Sequence, residues 1–258
     1  MSNEFMNSNQ GHWLLSKIGK RVLRPGGREL TMKLLQRLNI SMTDDVVEFA
    51  PGVGFTATQV LKYHPRSYTG IEINEEAARN LRKKIKGNCC SILTENASDT
   101  HLKDGFADKL YGEAMLTMQG NHRKAAIISE ACRVLKKGGL YAVHELCLTP
   151  DDLPHETKEA IQRDLAKTLK VNARPLTKTE WIQLIEKEGF CVKQLFFSPM
   201  RLLEIKRVIV DEGFFRTMRI GFNVTRQPRT YRRIRAMRAL FKKYRNELKA
   251  IVVIAEKV

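Results

Sequence analysis

Residues 45–54 read DVVEFAPGVG, an apolar run that contains one acid, Glu48, and ends in Gly52 and Gly54. The apolar part is typical of a buried strand, and the helical pattern TATQVLKYH follows at 56–64. Glycines at such a turn let the backbone approach a ligand closely and adopt dihedral angles that other residues avoid. The stretch therefore predicts a ligand site where the first strand passes into its helix.

The same alternation continues along the chain. Further strand-like runs lie at 67–73, 89–95, 107–116 and 139–148, and helical patterns lie at 74–85 and 124–137. Strands that alternate with helices are expected to be parallel and joined by crossover helices, which gives a doubly wound α/β sheet. Two amphipathic helices, 11–23 and 27–38, are expected before the sheet, separated by Pro25-Gly26-Gly27.

After Pro150 the pattern becomes mainly helical. Thr177 with Glu180 three residues later predicts a capping box that opens a helix over 177–188. A strand at 191–197, a helical stretch at 201–247 and a last strand at 250–256 follow. We expect a mostly parallel, seven-stranded, Rossmann-like sheet. The predicted units are N-terminal helices (1–38), a core (39–200), a basic helical lid (201–249) and the last core strand (250–258).

The net charge of +17 is concentrated near the C-terminus, where residues 201–258 hold 16 Lys/Arg against 5 Asp/Glu. One helix there predicts an inward apolar face formed by Tyr231, Ile234, Met237, Phe241, Tyr244 and Leu248. Its outward basic residues are Arg232, Arg233, Arg235, Lys242, Lys243 and Arg245. These could be a solvated face, or could bind an acidic small molecule, an anionic membrane surface or RNA.

Other features of the sequence exclude some classes of protein. No apolar run is long enough to span a bilayer, and the polar start MSNEFMNSNQ does not resemble a signal peptide. The five cysteines and six histidines are scattered without metal-ligand spacing. We therefore expect a cytoplasmic protein with reduced thiols and no metal site; the oligomeric state is left open.

Two kinds of nucleotide cofactor fit the glycine turn. Gly52-x-Gly54-x-x-Ala57, with Glu72 eighteen residues beyond Gly54, also matches a dinucleotide fingerprint. Glu48 distinguishes between the two cofactors, because a carboxylate beside a pyrophosphate would repel it. A cofactor that carries a sulfonium and an ammonium group is favoured by that charge.

Together these motifs resemble the class I methyltransferases, specifically the small-molecule branch that includes quinone-biosynthesis enzymes. The resemblance covers about residues 28–200 and the last strand, and its matches are EFAPGVG, GIEI, Asn96-Ala97, Gly112-Glu113-Ala114 and RVLKKGGLYAVHEL. It implies S-adenosyl-L-methionine as cofactor and S-adenosyl-L-homocysteine as product.

The resemblance also implies a role for each matching residue. Ala50, Pro51, Gly52 and Gly54 would lie along the methionine part of the cofactor, and Glu48 would lie near its amino group. Glu72 would bind both ribose hydroxyls beside Ile73, Asn96 and Ala97 would border the adenine, and the backbone at Glu113 would meet the methionine ammonium.

Candidates for catalysis come from the end of the fifth strand. His144 is the candidate base, because the ordinary pKa of histidine lies near neutrality, and Glu145 is the second candidate. A packed histidine bonded to the backbone is the alternative. His12, Trp13 and Met115 are predicted at the substrate rim.

We expect methyl transfer to a nitrogen, oxygen or sulfur atom of a small amphiphilic or anionic acceptor. An RNA methyltransferase is an alternative, although the fourth strand ends in GEAM and not in an Asn/Asp-Pro-Pro-Tyr-like motif. A non-catalytic cofactor-binding protein and a nicotinamide-dependent oxidoreductase also remain open.

Overall fold

A computed structural model describes residues 10–258, apart from the side chain of His12. The helices are α1 (Gly11–Lys17), α2 (Gly27–Leu38), α3 (Phe55–Val60), α4 (Glu75–Lys84), α5 (Asn121–Val134), α6 (His155–Leu169), α7 (Lys178–Lys187), α8 (Ile205–Glu212), α9 (Phe214–Thr225) and α10 (Pro228–Lys243). The strands are β1 (Asp45–Phe49), β2 (Ser67–Ile71), β3 (Cys90–Leu93), β4 (Ala107–Glu113), β5 (Leu135–Leu148), β6 (Leu176–Thr177), β7 (Phe190–Pro199) and β8 (Leu248–Lys257). Two short 3-10 helices cover Leu61–Tyr63 and Leu116–Met118.

All described strands belong to one sheet. Its order is β3-β2-β1-β4-β5-β8-β7, and the two-residue β6 pairs with the end of β5. The pairs from β3 to β5 are parallel, whereas β8 runs antiparallel to both β5 and β7. The predicted doubly wound, mostly parallel α/β sheet is confirmed. It has eight strands where seven were expected, because β6 is too short to leave a strand signal in the sequence.

Alternate residues of each strand supply the two faces of the sheet, as the two-residue period of a strand requires. Val47 belongs to the cluster that includes Ile128 of α5 and Trp181 of α7. Val46 belongs to the opposite cluster, with Leu34 of α2 and Leu81 of α4. A third cluster joins α1, α6, α8, α9 and α10 around Met237 and Phe241. This third cluster attaches the C-terminal helices to the body.

The helices outside the core are shorter than predicted. The first ends at Lys17, well before residue 23, and Gly19 follows with a φ of +102°. The stretch 201–247 contains three helices, which are separated at Gly213 and by Pro228, the first residue of α10. The last strand begins at Leu248, two residues before the expected start.

Two local predictions have opposite outcomes. The capping box of α7 is confirmed, because the Glu180 N–H donates to Thr177 Oγ1 and the Thr177 N–H donates to Glu180 Oε2 at 2.8 Å. The inward placement of Tyr231 is wrong, since this side chain is half exposed. The other five residues of the predicted apolar face are buried, but Leu248 is the first residue of β8 and not part of the helix. Tyr231 lies in the first turn of the helix, where the chain has only begun to meet the core.

The helices within residues 10–258 bear on whether the chain crosses a bilayer. None of the helices there combines the length and the apolar character that crossing a membrane requires.

Candidate active site

A cavity of about 450 Å³ opens at the carboxyl edge of the parallel strands. Its walls there come from the segments that follow four of them: 50–53, 71–74, 95–97 and 113–115. The chain order reverses between β1 and β4, and ligands of open α/β sheets bind at such a switch point. The sheet therefore brings together residues that are far apart in sequence, including most of the predicted cofactor-binding residues.

The turn after β1 is shaped by left-handed backbone. Ala50, Gly52 and Gly54 have φ values of +53°, +57° and +69°. A Cβ on Gly54 would lie 2.6 Å from Cδ2 of the buried Leu81, which would have to move, and the positive φ also favours glycine here. Ala50, Pro51 and Gly52 line the cavity, and Gly54 supports them from behind as the residue that precedes α3. The turn thus presents backbone, and few side chains, to a ligand.

Glu72 is a buried carboxylate at the cavity wall. Its Oε2 accepts the Gly52 N–H at 3.1 Å and its Oε1 accepts the Asn74 N–H at 3.0 Å. Burial raises the pKa of Glu72, while these two N–H donors act in the opposite direction. Each oxygen is fixed in position by one backbone bond, and a carboxylate oxygen has a second lone pair with which to meet a ligand hydroxyl.

Three further predicted residues lie beside Glu72 in the lining: Ile73, Asn96 and Ala97. The Ile73 side chain is 49% exposed, which is unusual for an isoleucine directly after a buried strand. Asn96 Oδ1 accepts the Ser98 N–H at 3.1 Å, and this bond orients the amide. This wall thus combines an apolar side chain with a fixed amide, which suits a flat aromatic ring with polar edges.

Glu113 is the centre of a buried polar network beneath the cavity. Its carboxylate accepts hydrogen bonds from Arg24 Nε at 2.7 Å and from the hydroxyls of Thr31 and Thr56, and His144 Nδ1 lies 2.9 Å from it. Burial alone would raise the pKa of Glu113, but Arg24 and His144 hold it well below its usual range. The network ties β4 to α2, α3 and the segment that follows α1.

Glu48 is fully buried and is not among the described residues that line the cavity. Its Oε2 accepts hydrogen bonds from the hydroxyls of Tyr68 and Tyr111, both at 2.6 Å. Burial raises the pKa of Glu48 to about 7, against the effect of the two tyrosines and Arg24. Glu48 is therefore not brought together with the other predicted cofactor-binding residues.

His144 is also fully buried and does not belong to the described lining. Its Nε2 accepts the Gly26 N–H at 3.1 Å, so that Nδ1 carries the proton and donates it to Glu113 Oε1 at 2.9 Å. With both ring nitrogens engaged, the side chain has the environment of a packed histidine. This placement favours the alternative to a catalytic base.

Glu145 points to the cavity side but is fully engaged. Its carboxylate accepts the N–H groups of Met115, Leu116 and Thr117 at 2.7–3.0 Å, and the Thr117 hydroxyl at 2.7 Å. It therefore caps the 3-10 helix Leu116–Met118, whose N-terminal N–H groups have no partner within that helix. Glu145 fixes the loop that presents Met115 to the cavity.

The far part of the cavity has a different lining. It is formed by apolar side chains from α1, the end of β5, α6 and the segment after it, the segment after β7, and α10: Trp13, Leu15, Leu146, Leu169, Val171, Met200, Leu202, Met237 and Phe241. The cavity lining also includes the polar residues Gln10, Gln119, Arg123 and Asn172. Of the predicted rim residues, Trp13 and Met115 line the cavity, and the side chain of His12 lies outside the described part.

Sequence reasoning missed Arg24 and the threonines of the Glu113 network. The available signal was the Pro25-Gly26-Gly27 break directly after Arg24. A break between two helices places the residues beside it at the edge of the sheet. The predicted basic residues of the lid lie elsewhere. Arg232, Arg235, Lys242, Lys243 and Arg245 are exposed, Arg233 is half-buried, and none of them is among the described lining residues.

Two sequence comparisons identify relatives. A family model described as a methyltransferase domain matches residues 47–143, the segment that contains β1 to most of β5. An uncharacterised protein of Haemophilus influenzae is 33% identical over 214 residues, which cover 81% of this chain and 83% of that protein. The second match is more than twice as long as the segment that the family model covers.

Solved structures share the fold. A protein described as a putative sarcosine dimethylglycine methyltransferase from Galdieria sulphuraria has a TM-score of 0.70 at 13% identity, over 89% of this chain and 84% of that one. The geranyl diphosphate C-methyltransferase of Streptomyces coelicolor A3(2), in complex with Mg²⁺, geranyl diphosphate and S-adenosyl-L-homocysteine, has a TM-score of 0.64 at 13% identity, over 89% and 78%. At this identity the likeness concerns the fold.

Proposed function

Because the chain belongs to the class I S-adenosyl-L-methionine-dependent methyltransferases, we propose that it methylates a small, mainly apolar acceptor that binds beneath the C-terminal helices. One observation carries this proposal. The cavity continues from the strand ends into a chamber walled by Leu15, Leu146, Leu169, Met237 and Phe241. Pockets of this kind take ligands whose apolar part fills the chamber and whose few polar groups set the orientation.

The cofactor would occupy the strand-end part of the cavity. Glu72 would accept hydrogen bonds from both ribose hydroxyls, and Ile73, Asn96 and Ala97 would enclose the adenine. The backbone of Gly52 and Glu113 would contact the methionine part. The fit rests on a buried carboxylate with two fixed oxygens and on a turn whose left-handed residues leave room for a ligand.

Arg24 adds a positive group at this end. Its side chain is buried, lines the cavity and bonds Glu113. A guanidinium has further N–H donors beyond the one given to Glu113, and these suit the carboxylate of an amino-acid moiety. We assign Arg24 to orientation of the methionine carboxylate.

S-adenosyl-L-methionine supplies a methyl carbon that its sulfonium already activates. The protein therefore has to align the acceptor and exclude water. Two acids of the described lining, Glu113 and Glu145, have their carboxylates occupied by protein donors. We propose that these residues and His144 position the strand ends, and that the acceptor atom reacts without a protein base drawn from them.

An RNA acceptor is the alternative that the basic composition raised. The exposed arginines of α10 are not among the described lining residues. The apolar chamber does not match the charge of a ribose-phosphate chain. No observation on the described residues favours this alternative.

The test is incubation of the protein with methyl-labelled cofactor and fractionated cell extract. We expect label in small metabolites that partition into organic solvent. Label in RNA would overturn the acceptor class. Saturable cofactor binding without label in any fraction would instead favour a non-catalytic protein. The Glu72→Ala variant serves as control, because it should fail to label any fraction at a cofactor concentration that saturates the parent only.

A further inference from the structure

The α8–α9 pair carries a concentrated set of exposed apolar side chains. The two helices meet at Gly213, and beside it Phe215 is 86% exposed and Val210 is 63% exposed. Others on the pair are exposed by 37–61%: Ile205, Ile209, Phe214, Met218 and Phe222. Over the described chain, residues 205–222 hold more of the large exposed apolar side chains than any stretch of similar length. Contiguous apolar surface of this kind marks an interaction site.

The spacing of apolar residues in α9 shows two apolar faces, one packed against the body and one exposed. Phe214, Met218 and Phe222 recur every four residues and so share one side of the helix, whereas Ile220 lies on another side and is buried in the third core cluster. In α8, Val208 is buried in the same cluster. Both helices are thus attached to the body by one face and keep a second apolar face for another contact.

The charges on the pair are sorted by sign. The two acids at the end of α8 turn inward, with side chains at most 1% exposed: Asp211 accepts the Arg28 N–H, and Glu212 accepts the N–H groups of Arg21 and Val22. Exposed cations remain on the outside, namely Lys206, Arg219 and Arg226. The Arg226 guanidinium lies over the Phe222 ring, 4.0 Å from its centroid.

We propose that the α8–α9 pair docks on an anionic membrane surface. Aliphatic and aromatic side chains flanked by outward arginines fit the boundary between acyl chains and negatively charged headgroups. A second copy of the same face is a poorer partner, because its contact would bring two sets of cations together. Nucleic acid would satisfy the cations and leave the aliphatic side chains of α8 in water.

Docking would also place the cavity beside the lipid. Asp211 and Glu212 tie α8 to the segment 21–28, and the same segment contributes Leu23, Arg24 and Pro25 to the cavity lining. A docked pair therefore holds part of the cavity lining close to the membrane, where an amphiphilic acceptor is concentrated. This consequence rests on the proposed function, whereas docking itself does not.

The experiment is co-sedimentation of the full chain with vesicles of phosphatidylcholine alone or mixed with phosphatidylglycerol. We expect binding to the mixed vesicles only, with a loss at high salt. The Phe214→Ser/Phe215→Ser variant should bind at least about tenfold more weakly, since two apolar side chains no longer enter the lipid. Arg219→Gln/Arg226→Gln should lose about fivefold for each charge removed.

Matched controls replace the same kinds of side chain, apolar or basic, at exposed positions outside the α8–α9 pair. Met42, 72% exposed before β1, gives Met42→Ser, and the exposed lysines at the end of α4 give Lys83→Gln/Lys86→Gln. Both controls should bind as the parent does. Thermal melts and S-adenosylhomocysteine titrations should be unchanged in every variant, because the altered side chains are exposed.

The proposal is overturned if the parent does not bind mixed vesicles at low salt, or if Phe214→Ser/Phe215→Ser binds them as well as the parent does. It is equally overturned if sedimentation equilibrium shows a dimer that this variant dissociates, because a second copy would then be the occupant. Vesicle binding together with label in RNA in the extract assay would leave docking intact and reject the acceptor class.

Discussion

The two ends of the cavity are built on opposite principles. At the strand end, charged groups are fixed by hydrogen bonds. Glu72 accepts two backbone N–H groups, and Glu113 accepts donors from Arg24 and two threonines. At the helical end, apolar side chains such as Leu169 and Phe241 come from separate segments. Fixed donors and acceptors suit one unchanging ligand, whereas an apolar wall accepts different shapes with repacking. This difference supports the proposed placement of the cofactor at the first end and of the acceptor at the second.

The largest expected effect comes from the Glu113 network, which holds the strand end together. Glu113→Ala leaves the buried Arg24 without its carboxylate, and removal of one partner of a buried pair costs about 3–5 kcal/mol. We expect a loss of this size in the free energy of unfolding, measured by urea denaturation at pH 7. Glu95→Ala, at the cavity wall but with a carboxylate 3.2 Å from the exposed His101, is the control and should cost little. A small effect of Glu113→Ala would show that the strand end does not depend on this network.

Glu48 offers a pH-dependent test of the same region. Its pKa of about 7 in the folded protein lies above the ordinary value of 4.5, so that folding favours the protonated form. The stabilising contribution is complete below the ordinary pKa and is lost as the pH rises through about 7. Glu48→Gln, which stays neutral and can still accept from the tyrosine hydroxyls, should become more stable than the parent at alkaline pH by up to about 3 kcal/mol.

The measurement for Glu48 is urea denaturation of parent and variant between pH 5 and pH 8. The difference in unfolding free energy should grow by about 1.4 kcal/mol per pH unit between pH 5 and about pH 7, and should level off above that. Tyr68→Phe is a useful companion, because it removes a hydroxyl donor that lowers the pKa of Glu48. In this variant the loss of stability should therefore continue to a higher pH than in the parent. A difference that stays constant with pH would mean that Glu48 is ionised throughout.

Glu72 tests the assignment of the strand end to the cofactor. Glu72→Ala should weaken S-adenosylhomocysteine binding by about 1.5–3 kcal/mol, the usual contribution of hydrogen bonds to a charged group. Isothermal titration calorimetry measures this, with NAD as a ligand that should not bind comparably. Equal affinity for parent and variant would remove Glu72 from the site. Thermal melts would separate that result from a loss of the Gly52 and Asn74 bonds.

Sequence predicted the strand end far better than the helical end. The turn at Gly52 and Gly54 and the acid at Glu72 follow strands in a fixed order, and parallel topology alone brings such residues to one edge. His144 and Glu48 show the limit of that reasoning. A strand sends alternate side chains to opposite faces, and the sequence does not say which face carries the cavity.

The helical end left weaker signals in the sequence. Its lining residues come from five segments, and each of them looks like an ordinary core residue. The amphipathic pattern of α10 was predictable, apart from Tyr231 at its start. The breaks at Gly213 and Pro228 could be seen in the sequence, but the outward face of α9 could not, because exposed phenylalanines have the same pattern as buried ones.

The smallest expected effect concerns the exposed arginines of α10, which neither end of the cavity uses. Arg232→Gln/Arg235→Gln should change the unfolding free energy and the affinity for S-adenosylhomocysteine by no more than about 0.5 kcal/mol, because exposed side chains away from packed features contribute little. Arg233 is left unchanged, since it is half-buried.

If these arginines instead track an RNA backbone, the parent should retain RNA on filters with a steep salt dependence. The double variant would then lose about 0.7 from the logarithmic salt slope for each phosphate contact removed from a single strand. Equal and weak retention by both proteins is the outcome that we expect, because a solvated face adds charge without adding contacts.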